Sequence, residues 1–313
     1  MTAVTTSTTL TTSTTPRLFS DKVEIIADLY EAFSKKRMSL IDVTWVQHQY
    51  HEKRRWSAVE LLSQVNFDNL SRTDMVCVWN AGRAELTTKP GADRLARQTD
   101  AECRRWLDTD PHLAAVMQSC GTWSRYWNEE ESYHETTLNA LAGGLGMEPV
   151  SDDTFIEFRK IFPDDNMLRT LFLLAISEIT ATVNYSRCAA NTSDPGLRAI
   201  FKQIAADEAQ HMRYFISFAK ALVDSGKYLA KDAFAIAHLF LREDGELHGS
   251  DRKQVEARDT HVNWWDHLET GDIERPDDIE GKQNMIFSAL EKVTGVRVAS
   301  PEEVEDAWMD MVA

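Results

Sequence analysis

Glu131 and His134 stand three residues apart inside a long stretch whose apolar residues recur at helical spacing, and Glu208 and His211 repeat the pair inside a second one. Between them lies a third such stretch, MLRTLFLLAISEITATVNYSRC. Side chains three apart on a helix emerge from one face about one turn apart, so each pair can grip one metal ion. A single pair of this kind is ordinary on a solvated face. Two, on separate amphipathic helices with another helix between them, call for a bundle that turns both faces inward. Glu178 shares a stripe with Leu171, Leu174 and Ala175, so it points where apolar side chains go. An isolated buried carboxylate costs on the order of several kcal/mol. Glu178 is therefore expected to meet a metal, or else a cation such as Arg187.

The remainder of the chain reads as helical too. Only 13 Gly and 8 Pro occur in 313 residues, and few segments alternate as a half-buried strand would. Ser20 and Asp21 can cap a helix through Ile25, Leu29 and Phe33, and Ser71 with Asp74 forms a capping-box start for one carrying Met75, Val78 and Trp79, with a break or kink at Pro90 and Gly91. Further helices are expected over 112–143, 152–160, 165–190, 195–223 and 228–241. Acidic loops around Gly271–Gly281 then lead to short helices near 282–293 and after Pro301. The Thr- and Ser-rich residues 1–16 read as a disordered tail. Residues 17–313 read as one ferritin-like, all-α bundle with peripheral and C-terminal helices. Its four ligand-bearing helices fall within about 70–220, and the pattern weakens after 245.

Composition narrows the partners. The chain has 34 basic and 50 acidic residues, a formal net charge of −16, which repels phosphate backbones and anionic lipid. No nucleic acid and no membrane partner is expected. Four scattered cysteines without a Cys-x-x-Cys pair fit a reducing cytoplasm.

Bundles that hold two metal ions between carboxylates draw one Glu from each of two helices and a Glu-x-x-His from each of two others. Glu178 fills one single-Glu place. Glu85, one turn after the small residues Ala81 and Gly82, is the best candidate for the other, with Glu102 and Asp74 as competitors. Four carboxylates and two imidazoles without a thiolate suit iron, or manganese, better than structural zinc. Such a pair can engage O2 and oxidise an unreactive C–H bond.

At these residues the chain resembles the soluble acyl-carrier-protein desaturases, the two-iron stearoyl-type family. GTWSRYWNEEESYHETTLNAL is similar to that family's Gly-Thr-Trp-x-Arg-x-Trp segment leading into Glu-Glu-x-x-His, and QIAADEAQHMRYF to its Ile-Ala-x-Asp-Glu-x-x-His segment. The likeness is strong over about 120–220, fair around 75–100 and faint elsewhere. It implies Glu131 and Glu208 as bridging carboxylates, Glu85 and Glu178 as terminal ones, and His134 and His211 on one iron each. It also implies a homodimer, ferredoxin as electron donor, O2 as co-substrate and an acyl chain tethered to acyl carrier protein as substrate. The plant members carry a threonine three residues after the third-helix ligand. Here that position is Ala181 and the threonine follows as Thr182, a weaker candidate for handling oxygen.

The departures at Ala181 and around Glu85 keep two other activities open: a di-iron hydroxylase or N-oxygenase acting on a specialised substrate, and a ferritin-like iron-handling protein. Trp123 and Trp127 are expected chiefly to pack. Asp207 is a candidate acceptor for the outer nitrogen of a liganding histidine, or a surface charge. His48 and His51, with no carboxylate motif beside them, read as surface or interface residues. An acidic carrier would need a local basic patch, for which Lys53, Arg54 and Arg55, or Arg94, Arg97, Arg104 and Arg105, are candidates.

Overall fold

The computed structural model describes residues 24–85, 88–147, 165–242 and 276–313. Among these the chain forms eleven α-helices and one 3-10 turn, with no strand. They are α1 (Leu29–Ser34), α2 (Leu40–Glu52), α3 (Ala58–Leu62), α4 (Arg72–Glu85), α5 (Thr88–Trp106), α6 (Pro111–Gly144), α7 (Met167–Asn191), α8 (Pro195–Asp224), α9 (Ala230–Arg242), α10 (Pro276–Thr294) and α11 (Pro301–Val312). The architecture is an all-α helical bundle, as the patterning requires.

The long helices start where their caps say they should. Asp110 accepts from the Leu113 amide ahead of Pro111, Asn166 from Arg169, and Asp194 from Leu197 ahead of Pro195. In each case a short polar side chain satisfies an amide of the first turn, and proline takes the first helical place where its missing N–H is no loss. The Ser71–Asp74 box forms as expected, each residue's side chain accepting the other's amide at 2.8 and 3.1 Å.

Helices α4, α6, α8 and α7 make the central ring, each packed on the next, while α5 folds back along α6 and α2 lies across it. Two apolar cores divide this ring along its length. One gathers Leu113 to Trp127 of α6, Met167 to Ile179 of α7 and Tyr214 to Leu222 of α8, together with α9, α10 and α11. The other gathers Leu138 and Leu141 of α6, Tyr185 to Ala189 of α7, Leu197 to Ala205 of α8 and Cys77 to Ala81 of α4. α6 and α7 pass from the first core to the second, and α8 returns. The motif residues lie on the stretches between. α7 has the length and composition to cross a bilayer, and 61% of its apolar window is buried in the bundle. Gly196 marks a close approach to backbone: a Cβ there would lie 2.5 Å from the Gln64 carbonyl carbon and 2.6 Å from the Val65 nitrogen.

Several boundaries differ from the sequence reading. The first helix begins at Leu29, and before it the Ile26 carbonyl accepts the Ser217 hydroxyl at 2.6 Å. α4 is described to Glu85 and α5 from Thr88, so Pro90, expected at a break or kink, falls in the first described turn of α5. α10 begins at Pro276, so Asp277 and Asp278 form its first turn, where negative charge favours the helix, and are not loop. The helix expected over 152–160, the 1–16 tail, Ser20 and Asp21 lie outside the described residues.

Candidate metal centre

Between the two cores the inward faces of α4, α6, α7 and α8 become polar. Two overlapping clusters form there: Glu85, Glu131, His134 and Glu208, and Glu131, Glu178, Glu208 and His211. Within each, one ligand atom per residue lies within 4.8 Å of all the others, and every member is buried. The six residues expected from sequence are thus brought to one place, and these Glu and His groups could hold a metal ion. Glu131 and Glu208 belong to both clusters. Glu85 with His134, and Glu178 with His211, each belong to one.

Both imidazoles are oriented alike. His134 turns Nδ1 inward, 3.3 Å from Glu208 and 3.9 Å from both Glu85 and Glu131. Its Nε2 faces Asp207 at 3.1 Å. His211 turns Nδ1 toward Glu131 and Glu208, both at 2.9 Å, with Glu178 at 3.9 Å, and its Nε2 toward Glu130 at 2.7 Å. Each ring therefore presents one nitrogen to the shared carboxylates and spends the other on a carboxylate outside them, the arrangement that fixes ring and tautomer in metal-ligating histidines.

The donor set fits a cation. Glu85 Oε2 and His134 Nδ1 are buried without a hydrogen-bond partner, 3.9 Å apart. That gap is too wide for a hydrogen bond, yet ligand bonds of roughly 2.0–2.2 Å can span it. Charge points the same way. Burial, with the charges of Glu131 and Glu208, holds the Glu85 carboxyl well above the carboxylate range, and burial with Glu208 and Glu131 does the same to Glu178. For Glu208 burial also pushes upward, but the imidazoles of His134 and His211 beside it outweigh that and its carboxyl lies well below the usual range. Burial would depress both imidazoles; Asp207 and Glu208 override it for His134, and Glu130, Glu131 and Glu208 for His211, so both lie well above the ordinary value. Four buried carboxylates with two imidazoles form a cluster whose excess negative charge is met by protons or by cations.

The competitors of Glu85 are committed elsewhere. Asp74 closes the α4 capping box, and Glu102 accepts from Trp106 and Tyr228. Arg187, the alternative partner for Glu178, lies 3.5 Å from Asp278 instead. Thr182 is not gathered into the cluster, since its hydroxyl donates to the Glu178 carbonyl at 2.7 Å, one turn back along α7. Trp127 packs as expected, and its indole N–H also donates to Glu178 at 3.1 Å. Tyr185, two turns beyond Glu178, donates its hydroxyl to Glu85.

The next layer out corrects one reading and extends another. Asp207 is buried and accepts from the Arg54 guanidinium and, at 2.8 Å, from the Trp56 indole, as well as facing His134. It is the acceptor, not a surface charge. His51 is no surface residue: it is 5% exposed and its Nδ1 lies 2.8 Å from Glu130. Trp56 and Tyr185 went unassigned because nothing in their spacing ties them to the motifs; Glu130 stands in the Glu-Glu-x-x-His segment but was given no role, and Arg54 was read only as part of a docking patch. A partial signal existed in Ser39 and Asp42, whose capping box announces α2 and hence an inward face at His51. In the basic clusters, Arg55 pairs with Glu129 at 2.8 Å, Arg104 with Asp100 at 2.6 Å and Arg105 with Glu102 at 3.3 Å, and Arg54 is spent on Asp207. No protein family, curated protein or solved structure matches the chain.

Proposed function

We propose that the protein is an O2-dependent oxidoreductase with two iron ions, or manganese ions, held between α4, α6, α7 and α8, and that it desaturates a saturated acyl chain tethered to acyl carrier protein. One observation carries the reading: two buried four-ligand clusters share Glu131 and Glu208 and so describe adjoining positions with common walls. When bound, a pair of iron ions supplies oxygen binding and the redox equivalents for a two-electron oxidation of an unactivated C–H bond. Everything else falls to the chain. Glu131 and Glu208 would bridge, while Glu85 with His134 and Glu178 with His211 would close the two ends. Asp207 and Glu130 hold the outer imidazole N–H groups, and Trp127 steadies Glu178. The apolar cores on either side would keep bulk water from the site. Electrons would come from a ferredoxin-type donor. The carrier-tethered substrate and a homodimeric assembly follow from the sequence resemblance.

A hydroxylating or N-oxygenating variant of the same chemistry is the second reading. It is favoured by Ala181 and by the Thr182 hydroxyl being spent on backbone, which leave the third ligand helix without the family's threonine at its usual place. The test is anaerobic loading of the metal-free chain with Fe(II), then reduction, O2 and an acyl-carrier substrate. About two irons per chain, an O2-dependent absorption change and loss of two hydrogens from the acyl chain are expected. Gain of one oxygen would select the second reading, and folded protein that takes up no metal would end both. A mineral core in a cage-like assembly would select iron storage.

A further inference from the structure

Each histidine of the centre hands its outer nitrogen to a carboxylate, but those two carboxylates are held by different means. Asp207 is gripped by the Arg54 guanidinium and the Trp56 indole. Glu130 sits between two imidazoles, His211 on the inner side at 2.7 Å and His51 on the outer side at 2.8 Å, each on a different oxygen. His51 is itself fixed. Its ring stacks on Tyr126 with centroids 4.6 Å apart and planes 28° apart, and its Nε2 lies 3.5 Å from both Glu129 and Arg55. It reaches Glu130 from the last turn of α2, across 79 residues of sequence.

We infer that His51 is a positioning residue for the half of the centre formed by Glu131, Glu178, Glu208 and His211: by pinning Glu130 it sets the ring orientation and tautomer of His211, and through them the affinity of the second metal ion. Glu130 lies at the edge of the buried layer with its side chain 18% exposed. Without His51 that carboxylate has water to turn to, and turning leaves the His211 N–H without its acceptor. Supports of this kind typically govern metal affinity by about 10- to 100-fold. The His134 half has its own support in Asp207, so the effect of His51 is confined to one of two ions.

This inference rests on the metal-centre reading. Its test is anaerobic titration of the full-length, metal-free chain with Co(II) and, separately, Mn(II), counting ions by metal analysis. The Co(II) absorption and the Mn(II) spin-resonance signal distinguish a paired from a single ion. Wild type is expected to bind two ions. His51→Ala is expected to keep one at wild-type affinity and weaken the other by about 10- to 100-fold, turning a coupled Mn pair into a single-ion signal. His51→Asn, whose amide nitrogen can occupy the place of Nδ1, should restore most of the second site. Should the alanine chain fail to fold, His51→Phe keeps a ring against Tyr126 while deleting the donor, and the same selective loss is expected. Two ions at wild-type affinity in His51→Ala or His51→Phe, or equal loss of both, would overturn the inference and leave the metal centre standing. A folded wild-type chain that binds neither metal would overturn the metal-centre reading, and the inference with it.

Discussion

The His134 half and the His211 half of the centre use the same Glu-x-x-His spacing and the same inward nitrogen, yet their outer supports are of opposite character. Asp207 is clamped by a guanidinium, charged at every physiological pH, whereas Glu130 is clamped by an imidazole, whose charge is optional. Both clamps come from one short piece of chain, since His51 lies in the last turn of α2 while Arg54 and Trp56 follow within five residues. On the proposed reading the motifs supply the ligands, and a segment from far earlier in the sequence decides how firmly each is aimed. Two sites that look symmetric by motif need not be symmetric in affinity.

The largest test of that asymmetry removes what the halves share. Glu208→Ala, or Glu131→Ala, is expected to abolish binding of both ions, a loss above about 100-fold, while Glu85→Ala and Glu178→Ala each cost chiefly one. Metal analysis after gel filtration separates these patterns, and equal loss in all four variants would dissolve the distinction between halves. Next in size is Arg54→Met, which keeps the aliphatic stem and deletes the charge. Asp207 would be left buried with its guanidinium partner gone, at about 2–3 kcal/mol of stability in the metal-free chain, less than a fully enclosed pair because Arg54 is partly exposed. It should weaken the His134-side ion while sparing the other, read by denaturant unfolding and metal titration. An Arg54→Met chain as stable as wild type would say that Trp56 alone suffices.

Acid sharpens the comparison differently. Both imidazoles are raised well above their ordinary value by the carboxylates around them, so in metal-free protein near neutrality they carry protons that an arriving cation must displace. Affinity for both ions should therefore fall as pH falls, and metal addition in weak buffer should release about one proton per ion or more, measurable with an indicator dye. Uptake without proton release would contradict this. The smallest expected effect is Ser39→Ala. It removes the capping box of α2, at about 1 kcal/mol, without changing the number of ions bound. A change in stoichiometry would mean that α2 positions its clamps less rigidly than the packing implies.

The buried Glu/His cluster was legible from sequence because its information is local: a carboxylate and an imidazole one turn apart, repeated, with Glu178 on an apolar stripe between. Glu85 needed the bundle template as well as the residues. The clamps were not legible. His51 and Glu130, or Arg54 and Asp207, stand 79 and 153 residues apart and share no period, so only the folded chain brings them together. One helix start differs because an acidic run was read as loop although it favours a helix N-terminus. The Thr182 hydroxyl, placed near a ligand by sequence, also donates to its own helix backbone one turn back.

Where α8 begins, hydrogen is the largest side chain that the Gln64–Val65 peptide leaves room for at Gly196. That seam acts as a gauge block for how closely the start of α8, the rod that farther along carries Asp207, Glu208 and His211, approaches the turn after α3. A methyl group at Gly196 would jack the two apart, at a residue that bears no chemistry of its own.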